Sequence, residues 1–182
     1  MSQEESLLVK LLEEEDTARK AFSQLVESYQ EKVYFIIRRL LIDHEDTNDA
    51  VQMTFIKVWQ KRSSFKGKSS IMTWIYRIAT NEALQSLRKK QRRGLGQVDL
   101  EMALQQAMNS NQLSGTEIEL RLEKALVRLP DKQKLVFNLK YFEDLSYEDI
   151  STITETSVGA LKASYHLAVK KIEEYMNAYG EG

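Results

Sequence analysis

Segment 145–172, LSYEDISTITETSVGALKASYHLAVKKI, constrains the fold most strongly, because it reads as two helices separated by a short polar turn. Ser146 is placed to cap the first helix, and Asp149 three residues later is a capping-box partner. The polar stretch Thr154–Thr156 interrupts the helical pattern, and Ser157 offers a second N-cap before a longer helix. This order of caps and breaks predicts a helix-turn-helix.

The second helix of this segment has two distinct faces. Apolar residues at alternating spacings of three and four predict one buried stripe, formed by Val158, Leu161, Tyr165, Ala168 and Ile172. The opposite face carries mostly small residues, with one lysine and one histidine: Gly159, Ala160, Lys162, Ala163 and His166. Small residues let a helix approach base edges in a DNA major groove, where bulk would block it. The pattern favours DNA binding, with an ordinary helical hairpin as the alternative.

The chain as a whole is predicted to be all-α. Its 182 residues are 42% hydrophobic, which is enough for the core of one ordinary domain or of two small ones. Pro130 is the only proline, glycines number seven, and alternating polar and apolar runs are almost absent.

Composition excludes several classes of protein. There are no cysteines, which rules out disulfides, zinc fingers and thiol nucleophiles and fits a reducing, cytoplasmic setting. The amino terminus, MSQEESLLVKLLEEED, has no basic region followed by a long apolar run, so we do not expect a secretory signal. No apolar run approaches transmembrane length, so we do not expect an integral membrane protein.

The net charge of −1 hides an uneven distribution of charge. Acidic residues gather at positions 4–16 and again in segment 94–120, whereas five cations form one run that consists of Arg88, Lys89, Lys90, Arg92 and Arg93. Such a run is ordinarily a solvated helix end. It becomes a phosphate-binding patch where the preceding helix also presents groups suited to bases.

The N-terminal half predicts three helical regions. Apolar positions keep a helical period over residues 16–42, as one long helix or two abutting ones. Asp46 is placed to cap the next helix, which runs to about residue 62 and shows a polar face of Asn48, Asp49 and Gln52. A third helix starts near Ser70 and turns inward Ile71, Trp74, Ile75 and Ile78. The loop 65–69, FKGKS, is cationic and predicted to be flexible.

Two stretches resemble domains of bacterial sigma factors of the extracytoplasmic-function subfamily. Segment 46–93, DTNDAVQMTFIKVWQKRSSFKGKSSIMTWIYRIATNEALQSLRKKQRR, resembles their domain 2, and segment 126–172, LVRLPDKQKLVFNLKYFEDLSYEDISTITETSVGALKASYHLAVKKI, resembles their domain 4. The resemblance covers most of the chain in the right order. It implies two small helical domains, at 1–93 and 121–182, joined by a flexible acidic linker at 94–120. It also implies a protein that binds core RNA polymerase, recognises the promoter −35 element through domain 4, and recognises and opens the −10 element through domain 2.

The resemblance assigns roles to residues of domain 2. It implies polymerase docking by the polar face of the second helix, at Asn48, Asp49, Gln52 and Met53. Met53 departs from the family pattern, which usually has glutamate there. Contacts to the −10 element are implied for Lys66, Gly67, Lys68, Ser69, Tyr76, Asn81, Arg88, Lys89 and Arg92. The loop aligns with the family segment that takes up a flipped base, and a preformed pocket there would supply part of the melting energy. Trp74 is expected in the core, whereas Tyr76 is open to base stacking.

The resemblance places the −35 contacts on the second helix of the helix-turn-helix, at Ser157, Ala160, Lys162, Ala163, His166 and Lys170. Glu155 stands where the family pattern favours glycine, and Ser164 and Leu167 stand where it commonly has arginine. Fewer cations imply weak phosphate binding by this domain alone. Upstream, the apolar pattern predicts an amphipathic helix that turns inward Ile118, Leu122, Ala125, Leu126 and Leu129, followed by Pro130 at the start of the next helix.

Segment 94–120 contains four acidic residues and no lysine or arginine. Its content of Gly, Asn, Ser and Gln predicts a linker, with a transient helix over residues 100–108. Two interpretations are open: a plain solvated tether, or, as in the family, a segment that threads polymerase channels that otherwise hold nucleic acid.

The sequence thus predicts a non-enzymatic, cytoplasmic initiation factor with core RNA polymerase and promoter DNA as partners and no cofactor or small-molecule substrate. The family also implies an anti-sigma factor, which we expect to cover apolar groups near exposed faces, such as Phe55 and Leu139. A stand-alone helix-turn-helix regulator that binds duplex DNA without polymerase is one alternative, against which the domain 2 motif argues. A nucleic-acid enzyme is another. Its carboxylates would be pairs such as Asp46 and Asp49, which lack a partner histidine for a metal.

Overall fold

The computed structural model describes residues 3–92 and 117–178, and all regular structure within these ranges is helical. The prediction of an all-α fold is confirmed. The helices are α1 (Gln3–Glu13), α2 (Glu15–Leu41), α3 (His44–Lys61), α4 (Ile71–Arg92), α5 (Glu117–Val127), α6 (Asp131–Phe137), α7 (Tyr147–Thr154) and α8 (Val158–Ala178), with a 3-10 turn at Arg62–Ser64 and a π-helical segment at Asn138–Phe142. None of the described helices is both long and apolar enough to cross a membrane. The described residues form two compact units, one made mainly of those up to Ser86 and the other mainly of those from Leu87 onward.

A single helix of 27 residues, α2, organises the first unit. Its fully buried side chains recur with helical period and include Leu25, Val33, Ile36, Ile37 and Leu40. Both α1 and α3 pack against α2. The apolar pattern over residues 16–42 is therefore one helix, and the acidic amino-terminal segment is helical from Gln3 to Glu13.

The start of α3 corrects the predicted cap. Asp43 rather than Asp46 is the N-cap, because its carboxylate accepts a 2.9 Å hydrogen bond from the backbone N–H of Asp46. Ile42 has a positive φ of 65° and turns the chain sharply after α2, so helical geometry begins at His44. Asp46 lies within the first turn, where its negative charge favours the helix dipole.

The predicted start of α4 is confirmed. The Ser70 hydroxyl accepts a 3.0 Å hydrogen bond from the backbone N–H of Thr73 and lies 2.8 Å from the Thr73 hydroxyl. This cap satisfies one of the free N–H groups at the helix start. The helix then runs unbroken to Arg92, so the basic run at its end is helical as far as that residue.

The second unit has a core to which α5, α6 and α8 contribute. Its buried cluster consists of Ala125, Leu126, Leu129, Phe137, Ala168 and Ile172. Helix α5 begins at Glu117, so the last residues of the predicted linker are its first turn. Ile118 was predicted to face inward but is 68% exposed, because it lies in that first turn, beyond the buried cluster. Residues 93–116, with Arg93 and the predicted transient helix, lie outside the described residues.

The helix-turn-helix forms with the predicted caps. The backbone N–H of Asp149 donates to the Ser146 hydroxyl at 3.0 Å, and that hydroxyl donates to the Asp149 carboxylate at 2.6 Å. Ser157 accepts a longer bond of 3.4 Å from the backbone N–H of Ala160. Between the two helices, Glu155 adopts the left-handed conformation, with φ of 54° and ψ of 35°. Glycine is favoured at such a position because it has no Cβ to clash.

Replacing Glu155 tests the cost of this turn. A β-branched valine resists the left-handed conformation whereas glycine adopts it freely, so Glu155→Val should be less stable than Glu155→Gly by about 1–2 kcal/mol. Urea unfolding followed by circular dichroism measures the difference. Glu173, which is exposed on α8, is the matched control. The order should invert there, because glycine costs more than valine in a helix interior. Equal stability of the two Glu155 variants would contradict the strained turn.

Candidate nucleic-acid interface

The outer face of α8 carries every residue that the sequence predicted for it. All six of these residues are exposed: Ser157, Ala160, Lys162, Ala163, His166 and Lys170. The inner face buries Leu161, Ala168 and Ile172. A Cβ added at Gly159 would meet nothing within 4 Å, so this glycine leaves open space at the start of the helix. The helix is thus anchored on one side and unobstructed on the other.

The cations on this face differ in how they are held. The Lys162 ammonium lies 5.7 Å from the ring centroid of Tyr147, the first residue of α7, within the range of a cation–π contact. Lys170 lies 3.9 Å from the Glu174 carboxylate, and both side chains are 65% exposed. Such an exposed pair is worth about 0–1 kcal/mol, so Lys170 can leave it for a phosphate. Lys162 is the cation nearer the start of α8, where the helix-turn-helix would meet a groove.

Aromatic rings support the helix-turn-helix from behind. The Tyr165 ring stacks on that of Phe137 with centroids 5.8 Å apart, and Tyr147 meets Tyr165 edge-on at 6.4 Å. Burial and the neighbouring phenols of Tyr147 and Tyr141 raise the pKa of Tyr165 above its ordinary value, so its hydroxyl stays protonated over the physiological range. These rings fix the angle between α7 and α8 by shape rather than by charge.

The exposed face of α3 is partly apolar. Asn48, Asp49 and Gln52 are exposed as predicted, and Met53 is 42% exposed. Ile56, which sequence reasoning left out, is 41% exposed one turn further along the same face. The sequence did indicate that Ile56 shares this face, because it follows Gln52 by four residues and Met53 by three.

A groove between α2 and α3 adjoins this face. Its apolar lining includes Phe22, Phe55, Ile56 and Trp59. The rings of Phe22 and Trp59 meet with centroids 5.1 Å apart, and the Arg62 guanidinium lies 4.0 Å from the Trp59 ring. The combination of a polar rim with an apolar floor is typical of a protein-binding surface.

The loop before α4 and the end of α4 present separated cations. Lys66 and Lys68 are exposed, Ser69 is half-buried, and Gly67 has a positive φ of 64° that glycine accommodates freely. Along α4, four of the predicted residues are exposed, namely Asn81, Arg88, Lys89 and Arg92. The predicted −10 residues other than Tyr76 are therefore all on the surface or partly so.

Tyr76 corrects the prediction for α4. It is 1% exposed, so its ring is not available to stack on a base in this structure. Trp74, predicted to be core, is half-buried and packs at 5.0 Å against the ring of Phe65. The reason is that α4 is buried over a wide arc that includes Ile71, Ile75, Tyr76, Ile78, Ala79, Thr80 and Ala83, so a single inward stripe described it poorly.

The described residues contain no cluster of three or more histidine, aspartate or glutamate side chains able to hold a metal ion. Asp49 is exposed on α3, and Asp46 belongs to the capped first turn of that helix.

Comparisons with known proteins match both halves of the chain. The family model for Sigma-70 region 2 matches residues 25–93, and the one for Sigma-70, region 4 matches residues 119–172. The chain is 31% identical to the RNA polymerase sigma-H factor of Pseudomonas aeruginosa, over 86% of each chain. It is 30% identical to the ECF RNA polymerase sigma factor SigW of Bacillus subtilis, over 80% of this chain and 83% of that one.

Solved structures share the fold at lower identity. The sigma factor RpoE of Bartonella quintana, in complex with the anti-sigma factor NepR, aligns with a TM-score of 0.69 and 23% identity over 87% of this chain and 98% of that one. CnrH, in complex with the cytosolic domain of CnrY, aligns with a TM-score of 0.70 and 19% identity over 96% and 97%.

Proposed function

Since the chain belongs to the extracytoplasmic-function group of sigma-70 family RNA polymerase sigma factors, we propose that it binds core RNA polymerase and directs it to a subset of promoters. The observation that carries this proposal is the presence of region 2 and region 4, in that order, in one chain. Sigma factors are DNA-binding initiation factors rather than enzymes, and we assign this chain no catalytic activity. Its place of action is then the cytoplasm, where RNA polymerase works.

A run-off transcription assay tests the proposal directly. Purified core polymerase should produce promoter-specific transcripts only when the chain is added. A stand-alone regulator of duplex DNA is not favoured, because such a protein has no need of the region 2 that matches residues 25–93. Specific duplex binding by the free chain, with no transcript from the reconstituted enzyme, would favour that regulator instead.

We assign recognition of the −35 element to the outer face of α8. Support comes from its exposed small residues, which let the helix approach base edges, and from its exposed Lys162, Lys170 and His166. Lys162 and Lys170 are suited to phosphates and His166 to a base edge, because an ammonium is a point charge whereas an imidazole donates and accepts in fixed directions.

We assign polymerase docking to the face of α3 that contains Asn48, Asp49, Gln52 and Met53, and we extend it to Ile56. Support comes from the exposure of all five side chains on one helix and from the adjoining groove. Met53 contributes apolar contact area where the family usually has a glutamate, and Ile56 adds to the same patch.

An anti-sigma factor is the expected inhibitory partner, and it would compete for these surfaces. One of the structural relatives named above, RpoE, is itself bound to an anti-sigma factor, NepR, and the other, CnrH, is bound to the cytosolic domain of CnrY. Of the two residues named from sequence for this contact, Leu139 is wrong because it is fully buried, whereas Phe55 is 9% exposed and lines the groove. Met53 and Ile56 take the place of Leu139 in the proposal, because each is more than 40% exposed beside the groove.

Polymerase docking is testable through the polar part of the α3 face. Asp49→Ala combined with Gln52→Ala should weaken core binding about tenfold, since two interfacial polar contacts of ordinary strength are lost. Titration of labelled core polymerase measures the affinity. Gln85→Ala, an exposed change on α4, is the control and should bind normally. Unchanged affinity of the double variant, with normal helical circular dichroism, would reject this face.

Two variants of α8 should affect different properties of −35 binding, one the overall affinity and the other the sequence preference. Lys162→Ala should weaken holoenzyme binding to all −35 duplexes and reduce the salt slope by about one unit, because one phosphate contact is lost. His166→Ala should instead change which sequences are preferred. Equilibrium binding at several salt concentrations measures both effects. Glu173→Ala, about three turns beyond Lys162 and past the last of the proposed residues, is the control, and an unchanged slope for Lys162→Ala would contradict the docking of this helix.

Changes in the loop before α4 and at Asn81 should affect promoter opening but not the binding of duplex DNA. Asn81→Ala, and a shortened loop lacking Lys66 to Ser69, should retain polymerase binding and closed complexes but lose opening. The reason is that a pocket for an extruded base contributes only after the strand is unpaired. Permanganate footprinting of the −10 thymines detects opening. Premelted templates should restore transcription for the loop variant more than for Asn81→Ala. Wild-type footprints in both variants would place the opening function elsewhere.

A further inference from the structure

A partly buried ion pair joins α3 and α4, the two helices to which the proposed function assigns different tasks. The Lys57 ammonium on α3 lies 2.5 Å from the Glu82 carboxylate on α4. The Lys57 side chain is 27% exposed and that of Glu82 only 9% exposed. Glu82 follows Asn81 directly in the chain, and Lys57 follows Ile56, the last residue of the proposed docking face. The ion pair thus lies between the proposed polymerase-docking face, which ends at Ile56, and the proposed −10 contact, Asn81.

We propose that Lys57 and Glu82 are positioning residues for recognition of the unpaired −10 strand. Together with the apolar packing of α4, the ion pair sets the rotation of the helix near Glu82, and thereby the direction in which the Asn81 side chain points from the surface. This inference rests on the proposed function, because it takes Asn81 to be a strand-contacting residue. Nothing in the sequence pattern of α4 alone assigns such a role to Glu82.

The surroundings of Glu82 explain why a directional contact matters there. Ala79, Thr80 and Ala83 are small buried side chains near this residue, whereas the larger Ile78 and Ile75 are buried one and two turns earlier on the same side of α4. Apolar packing therefore positions the helix, but small side chains form shallow ridges and add little directional constraint close to Glu82. A carboxylate that is largely removed from water needs a charged or hydrogen-bonding partner, and Lys57 supplies one from one particular direction. The pair therefore adds a directional contact to the apolar packing at the point where Asn81 leaves the surface.

A small rotation of α4 about its axis would displace the Asn81 side chain considerably. Asn81 and Glu82 are adjacent residues of one continuous helix, about 100° apart around its axis, so both move when the helix rotates. A rotation of about 20° would move an amide some 6 Å from the helix axis by about 2 Å, which exceeds the tolerance of roughly 0.5 Å for a binding constellation. Docking of polymerase on α3 would also hold Lys57, and through it α4, in one orientation. Core binding and strand recognition are coupled in this way.

The test replaces the pair with apolar side chains of similar size, Lys57→Met with Glu82→Leu. Such a replacement leaves no unpaired buried charge and commonly preserves stability. The measurement is the affinity of the reconstituted holoenzyme for a fluorescent single-stranded oligonucleotide that carries the −10 sequence of a promoter the wild type opens. Affinity should fall about tenfold, as for a misplaced contact group. Core affinity and the thermal midpoint should stay near those of the wild type.

Two controls separate positioning from general stabilisation. Val58→Ala truncates a fully buried neighbour of Lys57 and lowers stability without touching the pair, so strand affinity well below its midpoint should be unchanged. In the Asn81→Ala background, removing the pair should have no further effect, because the group that it positions is gone. Glu82→Gln, which keeps the shape of the side chain, permits the same comparison if the double variant folds poorly.

The outcomes are distinguishable from failure of the proposed function. Wild-type strand affinity in the pair variant, an equal loss in Val58→Ala, or an undiminished loss in the Asn81→Ala background would each overturn the positioning role. A wild-type holoenzyme that neither transcribes nor binds the −10 strand would instead overturn the proposed function itself. Lys57→Arg keeps an ion pair and should retain most of the strand affinity.

Discussion

One-sided burial of amphipathic helices is the constraint on which this structure depends. Helices α2 and α8 each bury one face and leave the other to solvent, and the buried faces alone determine where the helices lie. In α8 the buried stripe of Leu161, Ala168 and Ile172 holds the helix against the core, whereas the small exposed residues on the other face are not packed against it. The functional surface is thus what remains after the core is satisfied. Substitutions on this exposed surface should therefore cost little stability.

Sequence reasoning was accurate wherever one stripe and one cap define a helix. The Ser146 and Ser157 caps, the single buried stripe of α8 and its exposed face follow from local rules, because the groups involved are within one or two helical turns of each other. It was less accurate for α4. There Tyr76 is buried and Trp74 only half-buried, because burial on several sides depends on which neighbours surround a helix and not on its own period.

The other features that the sequence did not predict, the N-cap of α3 and two buried polar residues, also depend on the surrounding structure. Asp43 and Asp46 are both good caps, and the choice between them was made by the positive φ of Ile42, which no propensity predicts. Buried Lys134 and Asn138, one turn apart on α6 and its π-helical extension, were equally invisible to a pattern that treats polar residues as surface. Desolvation lowers the pKa of Lys134, while the nearby Asp131 and Glu123 carboxylates act in the opposite direction. Tertiary surroundings decide such positions.

The distribution of charge predicts that this chain binds duplex DNA weakly by itself. Its net charge is −1, and the proposed DNA-binding face of α8 contains only two lysines, Lys162 and Lys170. Each phosphate that a protein neutralises contributes a counterion-release term of about 0.9 to the salt slope, so two such contacts give weak binding at physiological salt. Polymerase removes this limit by holding both units on one promoter at once, which converts the second contact into an intramolecular event.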